Sequence, residues 1–566
     1  MKILTNNVFK WLLVLIGTIV WSLTMVKSGW IYSYGIGFWG ANGHDGVWHV
    51  ALAESLSRGS FQLPTFASLP IQNYHIGFDL ILAILHKITF IPVVNLYFQI
   101  TPPILALAIG LLSYAFVYIW RKSKIESLIA VFFVYFGGSF GWLVSLFRGQ
   151  GWGGESMYWS QQSISTLINP PFALSLITIL LGLIYLKKYL EKKTLFNFCL
   201  TALFLGVSIF IKVYAGLLVL TSILIVAIWQ IIRKKDYFLL WIFLVTAVIS
   251  MFLFIPFNKS SVNLIVFTPF WFLESMMAYP DRFNWYKLYS AMTTYRMGRI
   301  WGKAILAYGL AFVIFIVGNF STRLVALKPL LQKPKKLLTA GPIEIFLFAL
   351  ILAGIVVPMF FTQKGTPWNT IQFFYYSLIF GGIAAGVVVG NFIESKSSSF
   401  TKGLIITIFV LLTIPTTIAS MGYYLPEKPP SVIPTNELEA LKFLSQQPDG
   451  IVLTYPYNST KILGGHSLTP LYMYDTTAYV SAFSDKDTFL EDQTNLDNLQ
   501  YPWQGRRNSV ESFLTTLNIS SARSFLEKNN ISYIYWLTDQ HAKLGAKQLG
   551  LTQIFQNNNV TIFKVN

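Results

Sequence analysis

The sequence has little charge. Only 12% of its 566 residues are Asp, Glu, Lys or Arg, while 54% are hydrophobic. Soluble globular domains carry about 25% charge, so too little polar surface is present to cover a soluble body of this size, and lipid must be the solvent for much of it. Cysteine is almost missing. Cys199 stands alone, which excludes an intramolecular disulfide and a cysteine-based metal site. Its place in an apolar run predicts a small buried side chain. The glycines at 149, 151, 153 and 154 are not followed by Gly-Lys-Ser/Thr, so they do not form a nucleotide phosphate-binding loop. No repeat suggests a solenoid or an inverted-repeat transporter.

What is present is a series of apolar runs of spanning length. Lys2 and Lys10 precede the first, about Trp11 to Val26, and no small-x-small cleavage site follows, so an uncleaved first helix is expected. Further runs lie near 92–119, 127–147, 171–186, 195–211, 213–232, 237–256, 302–320, 342–361, 371–391 and 402–422. The net charge is +18. It is concentrated in short loops at 121–124, 187–193, 233–235, 323–336 and 396–402, which argues for membrane orientation rather than nucleic-acid binding. With a cytoplasmic N-terminus and eleven crossings, all five basic loops fall inside and the C-terminal segment falls outside. The apolar stretch Ile76 to Ile91 is short and holds Asp79, His86 and Lys87. Counting it as a crossing would invert those loops, so it is expected to be re-entrant or interfacial.

The expected architecture is a mostly α polytopic bundle over 1–422 with a long outer loop at 28–75. A Pro-rich linker at 423–435 leads to an extracytoplasmic α/β domain at 436–566. There, Asn436 to Gln446, Val510 to Leu517 and Ala522 to Lys528 predict helices. Ile451 to Tyr455, Ile531 to Leu537 and Val560 to Val565 predict strands.

The chemistry-bearing residues gather in the outer segments. Gly43-His-Asp-Gly-Val-Trp-His49 opens an amphipathic helix that ends near Arg58-Gly59. Either Asn42 or Asp45 suits its N-cap, the latter otherwise sitting beside the helix dipole. Asp45 is the candidate catalytic residue. His44, His49, His75 and Asp79 are candidate substrate-binding groups, with His75 and Asp79 spaced to share a helical face. Their plainer roles are surface hydrogen bonding and a structural acid–imidazole pair. In the second outer loop Glu155 joins the candidates, while Trp152, Tyr158 and Trp159 suit interface anchoring and Asn169-Pro-Pro-Phe172 suits a helix start. The third and fourth outer segments hold Arg296, Arg299 and Lys364, which suit a phosphate leaving group. Pairing with Glu274 or Asp281 is the plainer role of the arginines. A metal set is not assigned, and a divalent ion is a secondary reading.

One apolar helix, an outer loop with an early acid, many further helices and an outer C-terminal domain resemble the GT-C superfamily of integral membrane glycosyltransferases. Protein O-mannosyltransferases, aminoarabinose transferases and oligosaccharyltransferase catalytic subunits belong to it. The segments carrying the resemblance are Gly43–His49, Asn73-Tyr-His-Ile-Gly-Phe-Asp79, Asn169–Phe172, Ala478-Tyr-Val-Ser-Ala482 and Phe489-Leu-Glu-Asp492. The sequence has His44-Asp45 in place of an Asp-x-Asp, and no Trp-Trp-Asp. The resemblance implies sugar transfer from a polyprenyl-phosphate donor to a glycan, lipid or protein acceptor at the outer face of the cell membrane. Asp45 would be general base, and Arg296, Arg299 and Lys364 would steady the departing phosphate. A lipid or polysaccharide transporter and a non-catalytic assembly protein are the rival classes.

Overall fold

The structure, a computed structural model, describes residues 7–258, 264–332, 339–458 and 468–566. Lys2, the loop residues 333–336 and the start of the third outer segment lie outside the described residues. The chain forms two compact units. One holds Pro103–Pro256 with the first helix and the apolar segments up to Tyr423; the other holds Met25–Pro102 and Tyr424–Asn566.

The first unit is a helical bundle. Among the described residues, eight helices are long and apolar enough to cross a bilayer. A bent pair, Lys124–Phe136 and Gly141–Phe147, makes a ninth if counted as one span, and two shorter apolar helices, Asn7–Ser22 and Leu195–Ile211, complete the set. The eleven expected runs are all helical, yet length alone does not establish eleven crossings. Glycine lets the helices meet closely. Lys124–Phe136 packs along Gln372–Glu394, where a Cβ on Gly386 would stand 2.3 Å from the Ala130 Cα and one on Gly390 would stand 2.5 Å from the Glu126 Cα.

The 53° bend between the paired helices frees backbone carbonyls inside an apolar bundle, where each must find a donor. Side chains supply them. Ser321 donates to the Gly138 carbonyl at 2.8 Å, and Thr416 to Ser139 at 2.9 Å. Arg323 donates to Gly138 at 2.9 Å and to Asn319 at 2.7 Å, and also to the Gln162 side chain. Arg323 begins the sequence's basic loop, but its side chain is fully buried because these carbonyls need it. Cys199 departs from expectation in the opposite sense. It is exposed on its helix.

The second unit joins the loop expected to be outer, within Met25–Pro102, to the C-terminal segment. One sheet runs Ile31–Tyr32, Gly35–Phe38, Ser431–Pro434 and Thr469–Pro470 in that order. Gly35 sits at φ 118°, and a Cβ there would meet the Ile433 carbonyl at 2.0 Å, so the strand pairing requires glycine. The expected linker at 423–435 therefore contains a strand. The other sheet orders Ile451–Thr454, Ile531–Leu537, Val560–Val565 and Leu551–Gln556. The first two are parallel and the rest antiparallel. Helices Thr435–Ser445 and Ile519–Lys528 lie close to the expected positions, and Trp503–Thr515 overlaps the expected Val510 to Leu517 but starts well before it. Loop residues 63–67 lie against the C-terminal segment: Thr488 donates to the Pro64 carbonyl at 2.7 Å, and Glu491 to Thr65 at 2.9 Å. Arg506 stacks 3.7 Å over the Phe66 ring. Within this unit the apolar stretch at 76–91 is the helix Gly77–Thr89, whose 13 residues fall short of the roughly 20 that a spanning helix needs.

Candidate functional site

Asp45 begins the helix Asp45–Ser57, and His44 is the N-cap residue. Asn42 does not cap this helix. It belongs to the preceding turn Gly40–Gly43, and its amide donates to Ser28 at 2.9 Å. Asp45 is thus a first-turn acid beside the positive end of the helix dipole, with its side chain half exposed. His44 Nδ1 lies 3.1 Å from Asp45, and His44 Nε2 lies 3.4 Å from the buried Asp492. Burial would lower the His44 pKa, but Asp492 and then Asp45 outweigh it and hold the imidazole well above its ordinary value. The His44 ring therefore stands between an exposed carboxylate and a buried one.

The other candidates of the first loop form a buried cluster. His49 Nδ1 meets Asp79 at 2.7 Å, with both side chains almost fully buried. The His49 ring stacks on Tyr97 at 5.5 Å and meets Phe78 edge-on. His75 precedes the helix Gly77–Thr89 rather than belonging to it, so the shared helical face expected for His75 and Asp79 does not exist. Its ring stacks on Tyr74, whose hydroxyl accepts from Trp48 at 3.1 Å.

In the helical unit, Glu155 is used internally. It accepts from the Gln162 amide at 2.8 Å, from Ser165 at 2.7 Å and from Ser420 at 2.8 Å, and burial raises its pKa. Tyr158 and Trp159 are buried rather than interfacial: Trp159 donates to Ser275 at 3.1 Å and carries the Arg282 guanidinium 4.1 Å over its ring. They are buried because the helix Trp271–Ala278 packs on this loop. Trp152 is exposed and stacks on Trp142. Asn169 caps the helix Pro170–Glu191 as expected, accepting from the Phe172 amide at 3.1 Å. Arg296 donates to Glu274, which also accepts from Tyr308. Arg299 and Lys364 are exposed in this unit.

Three residues were not assigned a role by sequence. Asp492 ends a segment that carried the resemblance, but nothing local shows that it meets His44. Lys212 is almost fully buried at the junction of two helices, 3.3 Å from Asn169; its isolation between two apolar runs was the available signal. Arg323 was masked by the basic residues that follow it. Among the described residues, no three His, Cys, Asp or Glu side chains converge as a metal-ligand set.

No family model and no curated protein matches the sequence. Solved structures do match the fold. The oligosaccharyltransferase of Archaeoglobus fulgidus, crystallised with a tethered acceptor peptide, superposes with a TM-score of 0.51 at 12% identity. The match covers 94% of this chain and 69% of that one. The same enzyme in complex with an inhibitory peptide and a dolichol-phosphate gives the same score. The mycobacterial arabinofuranosyltransferase AftD superposes at 0.50 and 13% identity, over 99% of this chain and 40% of its own. The chain shares the fold of these oligosaccharyltransferase and arabinofuranosyltransferase structures.

Proposed function

We propose that this chain transfers a sugar from a polyprenyl-phosphate carrier to an acceptor hydroxyl on the outer side of the cell membrane. The observation that carries the reading is Asp45. It is a half-exposed carboxylate at the head of the first outer-loop helix, held by the His44 imidazole, within a fold shared over 94% of the chain with an oligosaccharyltransferase. One of the matched structures holds a dolichol-phosphate, which supports a lipid-linked donor here.

In this reading Asp45 is the general base toward the acceptor. His44, pinned by Asp492, orients it. Arg299 and Lys364, with Arg296 if it leaves Glu274, balance the charge that grows on the departing lipid phosphate. His49, His75 and Asp79 hold the loop beneath the site, and Glu155 fixes the second outer loop. The N-terminus and the five basic loops are cytoplasmic, and the C-terminal segment is outside.

Donor binding can be tested without knowing the sugar. Purified protein in nanodiscs is titrated with undecaprenyl phosphate and followed by native mass spectrometry. Saturable binding is expected, weakened by the double substitution Arg299→Ala/Lys364→Ala and unchanged by Asp45→Asn. Binding no tighter than that of phosphatidic acid refutes a polyprenyl-phosphate site.

A further inference from the structure

The C-terminal segment of the second unit contains a cleft enclosing about 730 Å³, part of it open to solvent. Five tyrosines line it: Tyr455, Tyr457, Tyr472, Tyr479 and Tyr535. The acids on its wall are Asp475, Glu491 and Asp492, and no Lys, Arg or His among the described residues joins them. Acids without a cation among the described lining residues disfavour a phosphate or carboxylate ligand there. Tyrosine faces and carboxylate acceptors suit a neutral or amino-bearing polyhydroxyl compound.

A second observation points the same way. The Thr477 hydroxyl is buried on the cleft wall and has no hydrogen-bond partner among the described residues. A buried hydroxyl left unpaired is costly, and a ligand hydroxyl would pair it. The neighbouring acids differ in their commitments. Glu491 is taken up by the Val480 and Ser481 amides, both at 3.0 Å, and Asp492 by Asn495 at 2.8 Å. Asp475 is half-buried, with one oxygen on the Thr476 amide at 2.7 Å.

The backbone argues against a peptide. A peptide commonly adds to a free strand edge, but the edge of Ile451–Thr454 beside the cleft is occupied. Val452 donates to the Asp487 carbonyl at 2.9 Å and accepts from Phe489 at 2.8 Å. Asp492, on the cleft wall, meets His44, and His44 meets Asp45. We infer that this cleft is an acceptor subsite for a neutral or amino sugar, and that its occupant presents a hydroxyl toward Asp45. The subsite as a sugar site stands on the cleft alone; its role as an acceptor site rests on the transferase reading.

The test uses full-length protein in phosphatidylcholine nanodiscs, free of sugar-headed detergent, with saturation-transfer NMR. The probes are methyl glycosides of mannose, glucose, arabinofuranose and glucosamine. Glucuronate, glucose 6-phosphate and a neutral Ser/Thr-containing peptide are the comparators. At least one neutral or amino glycoside should bind, and Thr477→Val and Tyr472→Ala should each weaken it by about three- to tenfold. Thermal melting of both variants shows which remains folded, and either one suffices. Failure of all four glycosides, preference for an anionic sugar or the peptide, or indifference to both substitutions overturns the inference. Glycoside binding without any sugar transfer would refute the transferase reading and leave the sugar site standing.

Discussion

At the scale of single residues, the segment Met25–Pro102 separates one accessible acid from one buried acid. Asp45 is half exposed, while Asp79 is sealed against His49. The sequence marked both, because an acid beside glycines and one inside an apolar helix each ask for an explanation. It placed His75 on the helical face of Asp79, but the helix begins only at Gly77, since spacing cannot show where a helix starts. His49→Ala removes the hydrogen-bonding partner of a buried carboxylate, which costs about 1–3 kcal/mol. A lowered melting temperature with unchanged KM is expected. A KM effect with unchanged melting would place His49 in contact with substrate instead.

At the scale of elements, the C-terminal helices and long strands were legible because their apolar periodicity is local. Gly35–Phe38 and Ser431–Pro434 were not, since four-residue strands are defined by a partner far away in the chain. Nor was the burden carried by the helix Thr435–Ser445. Its Glu437 is buried against Tyr479 and Tyr535, and burial raises its pKa from 4.5 to about 8; Glu491 is raised to about 7 by the same cause. The folded state therefore holds protons that the unfolded chain has released. Stability should fall as pH rises from about 4.5 through about 8, the reverse of a salt-bridged carboxylate. Thermal melting across that range should slope downward, and Glu437→Gln should flatten it. A melting temperature that rises from pH 5 to 8 would contradict the protonated burial of these acids.

At the scale of the whole molecule, composition revealed the membrane and the order of the helices. It did not reveal that Met25–Pro102 folds with Tyr424–Asn566, because that union depends on backbone pairing that leaves no periodic trace. Orientation can be read by labelling. In a Cys199→Ser background, Leu517→Cys is expected to react with an impermeant maleimide in intact cells, and Ser397→Cys only after lysis. Both side chains replaced are exposed. The opposite pattern would reverse the topology and place Asp45 on the wrong side for an outer-face reaction.

In the proposed reaction the chain moves a sugar from lipid to acceptor with Asp45 as the base. Proteoliposomes are loaded with polyprenyl-phosphate carrying radiolabelled mannose, glucose or arabinofuranose, and membrane glycans are supplied as acceptor. The unsubstituted protein should consume one of these donors and yield a labelled product. Asp45→Asn, with unchanged melting, should be slower by about 10²–10⁴-fold. Equal turnover by Asp45→Asn, or movement of the intact labelled lipid across the bilayer without loss of its sugar, would contradict the account.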